Sequence, residues 1–288
     1  MNRSFKHARA AMSVLVLAAL AALSLTLPAI AAPMIDTVHG EKVELLRIDA
    51  PQSLGVVVFE NGARETLDTW DKVIADIGKE STVFVYNRPG YGRSEVTLAP
   101  RDGRTIVEEL RHILQKQGLK SPYLLVGHSM GGLYMQLFAR MYPREVQGVV
   151  LVDSLYPGTI KKPEEFPLYT RIAKRLLLSN TVAREIDEIH HTGEIVQSLP
   201  WRDDIPMVRL FNVPKSAGAI GVDFGVINDD PQTVAAFKAL YPKARKVIVD
   251  SEHRIQLTNP EVVVSAIREV MALKRPDSRE LSAVAVSP

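Results

Sequence analysis

The chain has 288 residues, with 46% hydrophobic and 24% charged positions, 35 Lys+Arg against 33 Asp+Glu, and no cysteine. That composition is that of a globular protein with a sizeable core and excludes a disordered chain. The missing cysteine excludes disulfide scaffolds, cysteine-based zinc sites, iron–sulfur clusters and thiol nucleophiles.

The formal charge of +2 has a local origin. Residues 1–9 carry Arg3, Lys6 and Arg9 and no acid, and residues 10–27 are almost wholly apolar. Pro28 and the small-residue run Ala29-Ile30-Ala31-Ala32 follow. A basic n-region, an apolar h-region and an A-x-A junction predict a signal peptide cleaved after Ala31. Export to a periplasm or the medium is the expectation. An uncleaved N-terminal anchor is the alternative, because eighteen apolar residues sit at the short edge of a membrane span. No Cys follows the h-region, so a lipid-anchored lipoprotein is excluded. Residues 32–288 would carry 32 bases against 33 acids, and near-neutrality gives no electrostatic case for binding nucleic acid.

Beyond the leader, buried-type strands alternate with amphipathic helices. Val43–Ile48 reads as a short mixed strand. Gly55–Phe59 is an apolar run bounded by turn residues, as a strand covered on both faces would be. Leu67–Ile77 has helical spacing, with Thr66 as a candidate N-cap. Thr82–Tyr86, Tyr123–Val126 and Val149–Val152 are further buried strands. Thr105–Gln117 is an amphipathic helix stopped by Gly118, and Gly131–Met141 continues as a helix. Residues 156–204 break the rhythm with helical pieces at Arg171–Leu178 and Val182–His190. Met207–Phe211 and Lys246–Val249 resume strands, Val262–Leu273 is a last helix, and about 275–288 has no core pattern. This alternation predicts an α/β fold, a mostly parallel sheet with helices on both faces. A single domain over 32–288, with 156–204 inserted, is the expected organisation.

The strongest chemical signal is Gly127-His128-Ser129-Met130-Gly131, a G-x-S-x-G pattern with YLLV directly before it and a helical stretch directly after. Strand, tight turn and helix is the setting a nucleophile elbow needs. The bend projects the serine hydroxyl from the sheet, and the flanking glycines admit close backbone approach. The new helix turns its unpaired N–H groups toward any charge developing on a substrate.

Here the chain resembles the α/β-hydrolase superfamily, from about Val43 to Met271. Four blocks occur in the superfamily's order. Phe59-Glu60-Asn61-Gly62-Ala63 follows the first buried strand, where His-Gly is common. Asn87-Arg88-Pro89-Gly90-Tyr91-Gly92-Arg93-Ser94 is similar to an Arg-x-Gly-x-Gly-x-Ser turn. Gly127–Gly132 is the elbow. His253-Arg254-Ile255-Gln256-Leu257, with Asn259-Pro260-Glu261 and the final helix, is similar to the catalytic-histidine block.

The resemblance implies an α/β-hydrolase fold with a helical cap at 156–204 and a serine mechanism without cofactor. Ser129 is then the nucleophile, and His253 is the base that a serine hydroxyl requires. His39, His112, His128 and the His190-His191 pair are weaker candidates. Met130 and Ala63 would supply oxyanion-hole N–H groups. Asn61 in place of the usual His is a departure that alters how the Ala63 loop is held. The third member is a carboxylate. The usual position, after the penultimate strand, offers Asp223, Asp229 or Asp230. Asp229-Asp230-Pro231 also reads as a helix start. The stretch after Phe211 lacks the usual Gly-x-x-Asp pattern, which favours Asp153 at the end of GVVLVD, one strand earlier.

Apolar cap residues Phe166, Leu168, Tyr169, Ile172, Leu176, Leu177 and Trp201 fit either a substrate wall or a packed cap. Lys161, Lys162, Lys174 and Arg175 read first as a solvated face and second as a greeting for an anionic substrate or membrane. No metal site is expected, since adjacent histidines rarely share one ion. The expected activity is an esterase-like exported serine hydrolase acting on a small acyl substrate. Peptidase, lactonase, acyltransferase, cofactor-free haloperoxidase and lyase activities share the fold, whereas a serine nucleophile argues against a dehalogenase. A non-catalytic ligand-binding protein on the same scaffold is the reading from another class.

Overall fold

Apolar runs that can be covered on both sides become the strands of one sheet. The computed structural model describes residues 32–38, 40–158, 162–212 and 230–273. The expected leader, His39, Lys161, Asp223, Asp229 and the tail at 275–288 lie outside them. Among the described residues eight strands pair: β1 (Met34–Val38), β2 (Glu41–Ile48), β3 (Val56–Glu60), β4 (Thr82–Tyr86), β5 (Tyr123–His128), β6 (Val146–Val152), β7 (Met207–Asn212) and β8 (Arg245–Val249). Their order is β1-β2-β4-β3-β5-β6-β7-β8. β2 runs antiparallel to β1 and β4, and every other pairing is parallel.

The helices are α1 (Asp71–Ile77), α2 (Gly103–Lys116), α3 (Met130–Met141), α4 (Leu168–Leu177), α5 (Asn180–Asp187), α6 (Ile189–Ser198), α7 (Pro231–Leu240), α8 (Ile255–Thr258) and α9 (Pro260–Ala272). α2, α3 and α6 pack together over one face, with α3 against β3, β5 and β6. α1 and α9 cover the other face. Every residue of β4 and β5 is buried as a result, which is why TVFVY and YLLV show no polar alternation.

Two expectations are corrected. Leu67–Trp70 is a 3₁₀ turn leading into α1, and the Thr66 side chain caps neither. Asn87 takes that role from a distance, its Oδ1 accepting from the Leu67 N–H at 2.8 Å. The stretch 182–190 is also not one helix, because the chain breaks at Glu188 between α5 and α6. The β1 edge strand was not foreseen, for its residues are mostly exposed and carry no buried-strand pattern.

Register sets the level at which the chain leaves the sheet. Glu60 pairs with Gly127, His128 with Val152, and Val152 with Leu210. Asn61, Ser129 and Asp153 therefore follow neighbouring strands at one carboxyl edge, where parallel α/β sheets place their ligand sites.

The inserted segment sits over this half of the molecule, and α5 is tied to the core by charge. Glu185 of α5 accepts from Arg88 Nε at 3.2 Å, from Arg101 Nη2 at 3.0 Å and from the Tyr91 hydroxyl at 2.6 Å. Arg88 also donates to Glu60 at 2.5 Å, and Arg101 to Glu109 at 2.8 Å. The Arg88, Glu60 and Glu185 side chains are fully buried. Burial works against the Arg88 charge, but its acidic neighbours, Glu185 foremost, outweigh it and hold the guanidinium well above its ordinary range. Replacing Glu185 by Ala removes the carboxylate that two buried guanidinium groups share, leaving Arg88 with Glu60 and Arg101 with Glu109. The expected loss is about 3–5 kcal/mol, measured as a lower urea midpoint with the wild-type slope.

Candidate active site

A strand that ends in Gly-His and a helix that begins with Met-Gly-Gly leave one residue to reverse the chain. That residue is Ser129, at φ 52° and ψ −121°. A positive φ on a non-glycine residue costs of order 1–3 kcal/mol and persists only where the surroundings enforce it. Here the Ser129 N–H donates to the Val152 carbonyl at 3.1 Å, and its own carbonyl accepts from Gly132 and Leu155 at 3.1 and 3.0 Å. The flanking glycines are required sterically. A Cβ on Gly131 would lie 2.5 Å from the Glu60 and Asn61 carbonyl oxygens, and one on Gly127 would lie 2.6 Å from the Gly132 Cα.

Among the described residues, three non-glycine positions have positive φ: Arg64, Ser129 and Asp153. All three lie in connections leaving the carboxyl edge. Asp153, fully buried, is held by its N–H donating to the Leu210 carbonyl at 2.8 Å. Its Oδ2 stands 2.6 Å from His253 Nδ1. Since a carboxylate only accepts, this contact assigns the proton of a neutral His253 ring to Nδ1 and makes Nε2 the basic nitrogen.

The His253 loop is pinned from a second direction. The buried His128 ring lies 4.6 Å from the His253 ring, centroid to centroid. Its Nε2 is 3.0 Å from the His253 carbonyl oxygen and its Nδ1 is 2.6 Å from Glu65 Oε2. The two contacts, one on each ring nitrogen, fix the orientation of the imidazole between Glu65 and the His253 backbone. Glu65 also accepts from the Gly62 N–H at 3.1 Å and pairs with Arg254 at 3.2 Å. Burial alone would raise the Glu65 carboxyl, but His128, the Gly62 N–H and Arg254 outweigh it and hold it below the usual carboxylate range.

The same carboxylate thus fixes the start of the Asn61–Gly62–Ala63 loop. Arg88 fixes its other side, Nη1 donating to the Asn61 carbonyl at 2.7 Å and Nη2 to the Gly62 carbonyl at 3.2 Å. The Asn61 side chain donates to the Tyr86 carbonyl at 2.8 Å and accepts from Trp70 Nε1 at 2.9 Å. It is a buried anchor of the loop. Ala63 is half-buried in the following turn. Met130 opens α3, so its N–H has no acceptor within the helix.

The sequence candidates thus sort by position. Ser129 and Asp153 leave adjacent strands, and His253 comes to Asp153. Asp230 instead caps α7, its side chain accepting from the Thr233 N–H at 2.8 Å. The carboxylate beside His253 is that of Asp153. Asp223 and Asp229 lie outside the described residues. His190 and His191 meet Glu194 on the surface of α6. Among the described residues no cluster of three or more His, Asp or Glu side chains is arranged to hold a metal. Sequence reasoning missed Glu65 and the loop-bracing role of Arg88. Glu65 carried one signal, a carboxylate three residues after Gly62 and within reach of its N–H.

Residues 55–202 match the family described as alpha/beta hydrolase fold, and the chain belongs to that family. The uncharacterized protein YbdG of Bacillus subtilis (strain 168) is 29% identical over 132 residues, which is 46% of this chain and 39% of YbdG. The match spans about two fifths of the length of YbdG and of YqjL from the same organism. Among solved structures, Cfl2 from Burkholderia cenocepacia superposes with a TM-score of 0.62 at 17% identity, covering 83% of this chain and 95% of that one. The thioesterase domain from the curacin biosynthetic pathway gives a TM-score of 0.59 at 17% identity, covering 83% and 99%. These likenesses establish a shared fold.

Replacing Glu65 by Gln tests the loop clamp. The folded-state pKa of Glu65 is depressed, so its contribution is present above the unfolded carboxyl value near 4.3 and is lost as pH falls through the folded value. The variant is expected to be less stable by about 1–3 kcal/mol at pH 7. That gap should narrow as pH drops below about 4, followed by urea unfolding at each pH.

Proposed function

We propose that this protein is an exported serine hydrolase that cleaves carboxylic esters through an acyl-enzyme on Ser129. The observation that carries the proposal is the pairing of a strained serine between β5 and α3 with the Asp153–His253 contact at 2.6 Å on the same sheet edge. The working form is taken to be residues 32–288, after removal of the leader.

In this mechanism His253 Nε2 accepts the Ser129 hydroxyl proton as Oγ attacks the ester carbonyl carbon. Asp153 holds the ring in the Nδ1–H tautomer and balances the imidazolium that forms. The N–H groups of Met130 and Ala63 receive the oxyanion, each contributing about 3 kcal/mol to the transition state. Collapse expels the alcohol, which takes the proton from His253. Water, deprotonated by His253, then attacks the acyl carbon, and the carboxylic acid leaves with Ser129 Oγ reprotonated. The Glu65–His128 clamp supports this reading because it holds the Gly62 loop and the His253 loop together. The likeness to a thioesterase domain agrees with acyl transfer to water as the reaction class.

A fluorophosphonate probe is expected to label the folded protein at Ser129, mapped by peptide mass spectrometry. Ser129→Ala and His253→Ala should abolish labelling, and Asp153→Asn should lower ester turnover by roughly 10⁴-fold. A folded wild-type protein that takes no label, or takes it at another residue, contradicts the mechanism and favours a binding protein on this scaffold.

A further inference from the structure

The cap divides into two unlike parts. α5 and α6 bury Thr181, Val182, Ala183, Glu185, Ile189, Ile195 and Val196 against the body. None of the described side chains of α4 is buried. Leu168, Tyr169, Ile172, Leu176 and Leu177 are instead 50–78% exposed. At 100° per residue these five fall within one half of the helix circumference. Among the described positions Ala173, Lys174 and the following Leu178 are partly covered, and Lys174 pairs with Asp187 of α5. A contiguous apolar face of this kind on the outside of a folded domain marks an interaction surface.

Charge says what covers it. α4 carries Arg171, Lys174 and Arg175 and no acidic residue. Arg171 and Arg175 are exposed and border the Leu168 side of the apolar arc. In the preceding turn Lys162 is exposed beside Glu164 and Glu165, and Glu165 is turned back to accept from the Lys162 N–H at 3.3 Å. Ten residues of helix span about 15 Å, half of a hydrocarbon core of about 30 Å, so α4 can lie in an interface but not cross it. A short helix with an apolar arc, a basic border and an aromatic residue on that arc is built for the headgroup boundary of an anionic bilayer. We propose that α4 docks the cap on anionic phospholipid membranes, with Leu168, Ile172 and Leu176 entering the acyl boundary and Arg171 and Arg175 meeting lipid phosphates.

The absence of cysteine makes the test clean. Leu176→Cys, at an exposed position, is labelled in the full chain with an environment-sensitive fluorophore, and Lys120→Cys on a distant loop serves as the control. A response at both positions reports a contact that α4 does not make and overturns the proposal. Vesicles of phosphatidylglycerol mixed with phosphatidylcholine are expected to raise the emission at position 176 severalfold with a blue shift, and to leave position 120 unchanged. Added salt or the pair Arg171→Gln and Arg175→Gln should remove the response. No response at position 176 overturns the proposal, as does an equal response with phosphatidylcholine alone. A shift that grows with protein concentration in the absence of vesicles assigns the face to a second copy of the chain and overturns it as well.

Discussion

The backbone at Ser129 is the constraint on which the rest of the site depends. A residue at φ 52° is unfavourable by itself and has to be enforced from outside. β6 supplies a carbonyl to its N–H, and Gly132 and Leu155 bind its carbonyl. The absence of side chains at Gly127 and Gly131 lets the elbow approach its own helix and the end of β3. The same closeness brings α3 to the Glu60 and Asn61 carbonyls, so the bend and the loop that precedes Ala63 share one packing contact. Because β5 and β6 run in register to His128 and Val152, turning the chain at Ser129 also sets where Asp153 emerges.

Two buried charge systems then hold the loops around that bend. The first runs from Glu65 through His128 to the backbone of His253, while Asp153 holds the His253 ring. The second runs from Glu60 through Arg88 and Glu185 to Arg101 and Glu109. Arg88 belongs to both the loop and the cap, since it donates to the Asn61 and Gly62 carbonyls as well as to Glu185. Its fork of five donors is what makes this possible, and the point charge of a lysine would not reproduce it. Buried ion pairs are weak sources of net stability, because desolvation offsets most of the attraction. Their contribution here is geometric, in fixing one arrangement of loop and cap.

Much of this was legible in the chain. Apolar runs such as GVVVF and YLLV are covered on both faces in the sheet, and the glycine pattern around Ser129 encodes the elbow locally. Asp153 was reachable by a weaker route, the missing Gly-x-x-Asp pattern after Phe211. Partners set by folding were not legible. Arg88 and Glu185 are 97 residues apart and meet only because the cap folds back onto the segment that follows β4. Thr66 looked like an N-cap, but Asn87 reached the free N–H first. The helical piece at Arg171–Leu178 was legible, but not its start at Leu168 nor which side would face out, since sequence spacing defines a face and tertiary packing orients it.

The central claim is that Ser129 carries the acyl group between ester and water. Its most direct test is to mix the protein with a 4-nitrophenyl ester, quench in acid within the first turnover, and measure the intact mass and the modified peptide. An acyl adduct on Ser129 that forms with the burst of nitrophenol and decays as free acid accumulates is the predicted result. Ester turnover with no adduct on Ser129, or with the adduct on another residue, would contradict it.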